Sequence, residues 1–208
     1  MIKNRSEEEI RDHYDSKKTD NPMEAQDYVI DGKPIDYSRY KSLVIDSVVQ
    51  KLELSSKHKV LDVGCGAGLI LAEIEKRVAY AEGIDISQNL LDMFKGKSKL
   101  RCGSVRELEL RKDFYDRIYM ISVAIHFPNG DYFKEIFFRL LKSVAPGGML
   151  MIGDQLISDF YESPKYFSIG LRDLMDLLKE SRCHFSLLTQ DEEIRARNRY
   201  DILVYKPK

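Results

Sequence analysis

The sequence predicts a doubly wound α/β domain built on a mostly parallel sheet. Three observations carry that expectation. Short β-prone apolar runs alternate with amphipathic stretches between Tyr37 and Asp154, the pattern of βα units. One run, Val60–Val63, leads straight into Gly64, Gly66 and Gly68. A second strand, within Ala81–Ser87, then closes on Asp85, roughly 20 residues after the glycines, where such folds place the acid that binds ribose hydroxyls.

The stretch VLDVGCGAG (Val60–Gly68) organises the rest. Val60, Leu61 and Val63 read as a buried strand. Leu69, Ile70, Leu71, Ala72, Ile74 and Val78 recur at helical spacing, with Glu73, Glu75, Lys76 and Arg77 on the other face. The glycines therefore sit on a strand-to-helix turn. Glycine there permits positive φ and lets a ligand approach bare backbone, while the amides and dipole at a helix start suit an anionic or polar group. A dinucleotide turn has the spacing G-x-G-x-x-G. Here the third glycine, Gly68, comes one residue early, and Leu69 holds the dinucleotide position. Asp62 precedes the turn; a carboxylate there repels a pyrophosphate but accepts from an ammonium group. A ligand with a ribose and an ammonium but no phosphate fits both acids, and S-adenosylmethionine (SAM) is such a ligand.

The remaining elements follow in order. Met1–Asp20 is a charged, helical segment with Ile10 and Tyr14 as its sparse apolar side, read locally as a solvated face. Asn21–Pro34 is loop, with a turn at Asp31-Gly32. Tyr37–Leu54 keeps a helical period through Tyr40, Leu43, Val44, Val48 and Leu52. Ser87 caps a short helix through Phe94, Leu100–Gly103 is a third strand, and Tyr115–Val123 a fourth, apolar on both faces. A helix over Asp131–Val144 packs through Phe133, Ile136, Phe137, Leu140 and Leu141. Pro146-Gly147-Gly148 ends it and turns into a fifth strand, Met149–Gly153. Gln155–Ser168 is irregular; its Phe160, Tyr161, Pro164, Tyr166 and Phe167 read either as a wall for a second substrate or as a loop tucked onto the core. Leu171–Leu178 is helical, and Cys183–Leu188 and Tyr200–Tyr205 form a closing antiparallel pair.

Composition bounds the class of molecule. The chain has 208 residues, 43% hydrophobic and 32% charged, with a formal net charge of −1, so bulk electrostatics favours no polyanion. No apolar run approaches the roughly 20 residues of a membrane span, and MIKNRSEEEIRDHYD is too charged for a signal peptide. Cys65, Cys102 and Cys183 lack disulfide or metal spacing, pointing to a reducing cytoplasm. Arg195, Arg197 and Arg199 stand beside Asp191, Glu192 and Glu193, which reads as a solvated loop rather than a nucleic-acid patch.

VLDVGCGAG followed by GIDIS resembles the first two motifs of class I SAM-dependent methyltransferases. CGSVREL (Cys102–Leu108), YDRIYMISVAIHF (Tyr115–Phe127) and LKSVAPGGMLMIGD (Leu141–Asp154) resemble that family's third, fourth and fifth strand regions, in order, so the likeness spans Lys57–Asp154. The resemblance implies a seven-stranded sheet of order 3-2-1-4-5-7-6, an N-terminal lid over residues 1–36 and a SAM-binding domain over 37–208. It implies SAM as cofactor and S-adenosylhomocysteine as product, held by Asp62, Gly64, Cys65, Gly66, Asp85, Ile86, Ser104, Val105, Ile121, Ser122 and, from the lid, Tyr14. Ser104 stands where the family commonly has Asp, which weakens the expected adenine contact. For a base, His126 comes first and Asp154 second; a histidine at that place in the family often only packs or bonds backbone. The Asn-Pro-Pro-Tyr tetrapeptide of base-amino methyltransferases is missing from ISVAIHF, and no acid trio marks a magnesium site. The expected acceptor is a hydroxyl or amine of a small molecule, without nucleic acid, membrane or metal; DGKPIDYSRY (Asp31–Tyr40) faintly resembles methyltransferases linked to surface sugars, adding a sugar or sugar nucleotide as a candidate. Two other classes stay open: a SAM-binding module without turnover, and an NAD-type oxidoreductase on the same fold, against which Asp62 and the early Gly68 argue. Calorimetry should show SAM or S-adenosylhomocysteine binding that Asp85→Ala weakens strongly; tighter binding of NAD would overturn the assignment.

Overall fold

The computed structural model describes the chain apart from residues 1–4, 31, 162, 164 and 191–198, so Asp31, Pro164, Asp191, Glu192, Glu193, Arg195 and Arg197 lie outside the described residues. The described chain divides into two compact units, a first of Glu7–Glu107 and a second of Leu108–Lys208 with Arg5 and Ser6.

The first unit begins with α1 (Glu7–Asp15) and the one-turn α2 (Pro22–Ala25), which Asn21 caps by accepting the Met23 and Glu24 N–H groups. A small antiparallel pair follows, β1 (Val29–Ile30) and β2 (Lys33–Pro34). The helix expected over Tyr37–Leu54 is divided into α3 (Tyr37–Tyr40), a wide π-type turn over Lys41–Ile45, and α4 (Asp46–Lys51). The wide turn has a physical reason. Tyr40 and Ile45 are five apart, out of phase on a regular helix, and one extra residue per turn brings both to the face shared with Val48 and Leu52. All four are buried, whereas Leu43 and Val44, expected inside, are only half-buried.

Next come β3 (Lys59–Val63), α5 (Leu71–Ile74), β4 (Tyr80–Asp85), α6 (Gln88–Leu91) and β5 (Lys99–Cys102). The strands pair in parallel in the order β5-β4-β3, the 3-2-1 portion of the expected order. α5 is shorter than the run to Val78 suggests: the Arg77 guanidinium takes the Glu73 carbonyl and the Glu75 carboxylate reaches out to the N–H groups of Lys97 and Ser98. Both contacts draw the last turn away from regular helix.

The second unit holds β6 (Tyr115–Ile121), a single 3₁₀ turn over Ala124–His126, α7 (Gly130–Ser143) and the long β7 (Val144–Ile157). β8 (Ser168–Ile169), α8 (Leu171–Ser181), β9 (His184–Thr189) and β10 (Arg199–Tyr205) complete it. Strand order is β6-β7-β10-β9, the 4-5-7-6 portion, with β6 and β8 parallel to β7 and the closing pair antiparallel. Asn129 caps α7 through the Tyr132 N–H, and the five apolar positions expected on its packed face are all buried.

Pro146-Gly147-Gly148 does not separate α7 from its strand. It forms a bulge inside β7: Tyr115 pairs with Val144 and Arg117 with Met149, so four residues loop out. Gly147 takes φ 76° and donates to the Lys206 and Pro207 carbonyls, which a residue with a Cβ would do only under strain. β7 also runs past Gly153 to Ile157, because β10 on one side and β8 on the other satisfy its backbone. Phe137, 1% exposed in the middle of α7, tests this core: Phe137→Ala should lower unfolding stability by about 3–5 kcal/mol, read as a fall in urea midpoint at unchanged slope.

Candidate functional site

In the first unit the glycine turn is built by β3 and β4 together. The N–H groups of Gly64 and Cys65 donate to the Ile84 carbonyl at 2.8 and 3.0 Å, and Gly68 N–H to the Cys65 carbonyl at 2.8 Å. Gly64, Gly66 and Gly68 all have positive φ, 72°, 53° and 72°. A Cβ on Gly68 would lie 2.2 Å from the Phe94 ring, so that position is closed to other residues by space as well as by conformation.

Asp85 ties the turn to its neighbour. Its Oδ2 accepts the Gly66 N–H at 2.7 Å and its Oδ1 the Ser87 N–H at 2.8 Å. Burial pushes its carboxyl above the usual range, against which the N–H groups of Ser87, Gly66 and Ile86 stabilise the anion. Of the roughly four acceptor positions on a carboxylate, one remains beyond these three bonds, open to a ribose hydroxyl. Asp62 is buried at the end of β3. Cys65 is buried too, and burial, with Asp62 and Asp85 nearby, raises its thiol far above the ordinary range. Ile86 is half-buried at the end of β4, while Ser104 and Val105 are buried after β5.

Three side chains that the sequence did not single out also meet these positions. Gln26 Oε1 accepts the Ala67 N–H at 3.2 Å, and its Nε2 donates to the Pro22 carbonyl at 3.0 Å. Its carboxamide lies where a Cβ of Gly66 would be, 2.0 Å from that point. The bare backbone expected to face a ligand thus carries the Gln26 side chain. Asp15 accepts from Ser87 Oγ at 2.6 Å and from the Asn89 N–H at 3.2 Å; Ser104 Oγ donates to Glu7 at 2.5 Å. Tyr14 is half-buried and holds Asn89 through its backbone carbonyl, with its ring 4.9 Å from that of His13. His13 in turn pairs with Asp27 at 2.7 Å. No local pattern marks Gln26 or Asp15, since each reaches a partner far along the chain.

In the second unit Ile121, Ser122 and Asp154 come together where β6 ends beside β7. Ile121 pairs with Gly153, and the next residues, Ser122 and Asp154, both have left-handed backbone, φ 61° and 65°. Non-glycine residues hold that conformation only where their surroundings enforce it. For Asp154 the enforcing groups are visible. Its N–H donates to Asp201 Oδ1 at 3.1 Å, its carbonyl accepts from Arg199 at 3.2 Å, and its carboxylate lies 3.7 Å from Arg199 Nε. Asp201 also accepts from Gln190 at 2.6 Å. Arg199 lies 5.5 Å from the centre of the Tyr166 ring, and Tyr166 stands edge-on to the His126 imidazole at 5.5 Å. The reading of Arg199 as part of a solvated loop is corrected here: it begins β10, with a side chain 14% exposed and paired to Asp154. Packing drew it inward, which its charged neighbours in sequence did not foretell. Of the aromatic stretch, Phe167 is buried and Phe160 and Tyr161 are exposed, so it is partly core and partly surface.

Among the described residues no group of three acids, histidines or cysteines could hold a metal ion, and no helix is long and apolar enough to cross a membrane.

The parallel strands, the glycine turn and the acid after it give the chain the fold of the class I SAM-dependent methyltransferases. Residues 60–148 match the family described as a methyltransferase domain. The chain is 30% identical over 122 residues to the methyltransferase GfsG of Streptomyces halstedii, covering 54% of this chain and 43% of that one. It is 25% identical over 158 residues to a ubiquinone biosynthesis O-methyltransferase of Coxiella burnetii, covering 71% and 63%. The chain thus spans less than two thirds of the length of either relative. In fold it is similar to the magnesium protoporphyrin IX methyltransferase of Synechocystis PCC 6803 solved with bound S-adenosylhomocysteine, with a TM-score of 0.72, 15% identity, and 96% and 99% of the two chains covered. SAM is the cofactor of this class, and the acids and glycines of the first unit fit it.

The thiols give a direct check on the turn. In the native protein at pH 8, iodoacetamide should modify the exposed Cys102 well before the buried Cys65, as read by peptide mass spectrometry; denaturant should remove the difference.

Proposed function

We propose that the chain transfers a methyl group from SAM to a hydroxyl or amine of a small molecule, with a sugar or sugar nucleotide among the candidates. The observation that supports it most is the pairing, in one unit, of an acid-flanked glycine turn suited to a ribose and an ammonium. SAM supplies an electrophilic methyl on a sulfonium, and the protein's task is to hold an acceptor lone pair behind that methyl and exclude water.

On this reading Asp85 takes the ribose hydroxyls and Asp62 answers the ammonium end, directly or through water. Ile86 and Val105 give the adenine apolar contact. The N-terminal segment, up to residue 36, acts as a cover. Ile121 and Ser122 stand near the methionine portion. A hydroxyl acceptor must lose its proton as the new bond forms, and His126 is the base of choice: half-buried, held edge-on by Tyr166, and able to change charge near neutral pH. Asp154 suits that role less well. Its carboxylate, 2% exposed, already faces the Arg199 guanidinium, with Nε 3.7 Å away. The aromatic side chains of Phe160, Tyr161 and Tyr166 supply surface for the acceptor. The protein's setting on this reading is the cytoplasm.

A methyl-transfer screen of metabolite pools with labelled SAM comes first. With an acceptor in hand, His126→Ala should lower turnover roughly 100-fold or more, the range of one acid–base group, with S-adenosylhomocysteine affinity nearly unchanged. Loss of cofactor affinity or of stability would make His126 structural, and an unlabelled pool would favour a SAM-binding module without turnover.

A further inference from the structure

Three side chains of the N-terminal segment occupy polar groups of the cofactor site. Gln26 takes the Ala67 N–H and fills the space above Gly66, Asp15 takes Ser87 Oγ and the Asn89 N–H, and Glu7 takes Ser104 Oγ. Each partner stands in the turn, or directly after β4 or β5, where the cofactor's own polar groups are read to bind. The contacts belong to one continuous stretch: Asn89 also holds the Tyr14 and Lys17 carbonyls, and Lys17 and His13 both bind Asp27, next to Gln26. The salt bridges to Asp27 thus join α1 to the end of α2, which couples Gln26 and Asp15.

We propose that this segment holds the cofactor turn shut in the free protein, with Gln26 as the latch, and that cofactor enters only after the latch opens. The inference rests on the reading that the turn binds SAM. Its physics is a population effect. If the binding-competent state is a minor fraction of the free protein, the apparent dissociation constant is the intrinsic one divided by that fraction. A latch made of neutral and charged hydrogen bonds to the N–H and O–H groups of the site gives such a fraction without any strain. The Gln26 carboxamide suits the part: its oxygen answers the turn while its nitrogen is anchored on the Pro22 carbonyl, inside its own helix.

Removing the latch should therefore tighten cofactor binding, the opposite of removing a ligand contact. Gln26→Ala should bind S-adenosylhomocysteine roughly three- to tenfold more tightly by calorimetry, the ratio that one net hydrogen bond corresponds to. Stopped-flow tyrosine fluorescence should place the gain in the association rate, with dissociation within about twofold of the parent. Asp15→Ala, which leaves the glycine turn untouched, should act in the same direction and serves if Gln26→Ala melts too low to measure. Equal or weaker binding by both variants, at unchanged melting midpoint, overturns the latch while leaving the cofactor reading intact. Absence of S-adenosylhomocysteine binding in the parent and both variants overturns the cofactor reading, and the latch with it.

Discussion

The Asp85 carboxylate is the constraint on which the first unit depends. It stands at the end of β4 and accepts N–H groups from both sides, Gly66 in the turn after β3 and Ser87 at the start of α6. Burying a carboxylate is costly, and the cost shows as a carboxyl raised above its ordinary range by desolvation. Charge-assisted hydrogen bonds contribute about 1.5–3 kcal/mol each, which offsets that penalty only while the donors stay in place. The glycines make this possible. Gly66 can point its N–H at Asp85 because it adopts φ 53°, and Gly68 turns the chain into α5 beneath the Phe94 ring. One acid thus sets both the turn and the start of α6.

The second unit follows a different logic. Its strained positions, Ser122 just past β6 and Asp154 beside it within β7, lie at the carboxyl end of β6, where open α/β sheets present ligand-binding residues. Asp154 is held by the Asp201 carboxylate and the Arg199 guanidinium of β10, and Asp201 in turn by the carboxamide of Gln190, the residue after β9. Buried ion pairs of this kind are weak sources of net stability but severe when broken, because the remaining charge is left without a partner. Their effect here is to hold backbone geometry. Arg199 extends that effect to Tyr166, whose ring fixes one side of His126.

The two sites also divide the chemistry. On the proposed reading, cofactor recognition rests on backbone amides and acids, which a turn and two strand ends supply locally, and acceptor handling on side chains drawn from a 3₁₀ turn, an irregular aromatic loop and the closing strand pair. The first kind of site leaves motifs in a sequence, and the second leaves scarcely any.

That difference explains what could be read in advance. Sequence by itself determined the strands from Lys59 to Gly153, α7 with its five buried positions, the glycine turn and the acid at its flank. Each follows from local rules: period, caps, and glycine where φ must be positive. Local rules erred where tertiary contacts overrode them. The Tyr37 helix took a wide turn to bury Ile45, the Pro-Gly-Gly segment became a bulge because β6 pairs with β7 on both sides of it, and Arg199 moved from an assumed surface loop into a buried ion pair. Tertiary structure alone decided that Gln26 covers Gly66 and that Asp201 braces Asp154. Those contacts join residues 41 and 47 positions apart, and no periodicity or motif encodes a single hydrogen bond between side chain and distant backbone.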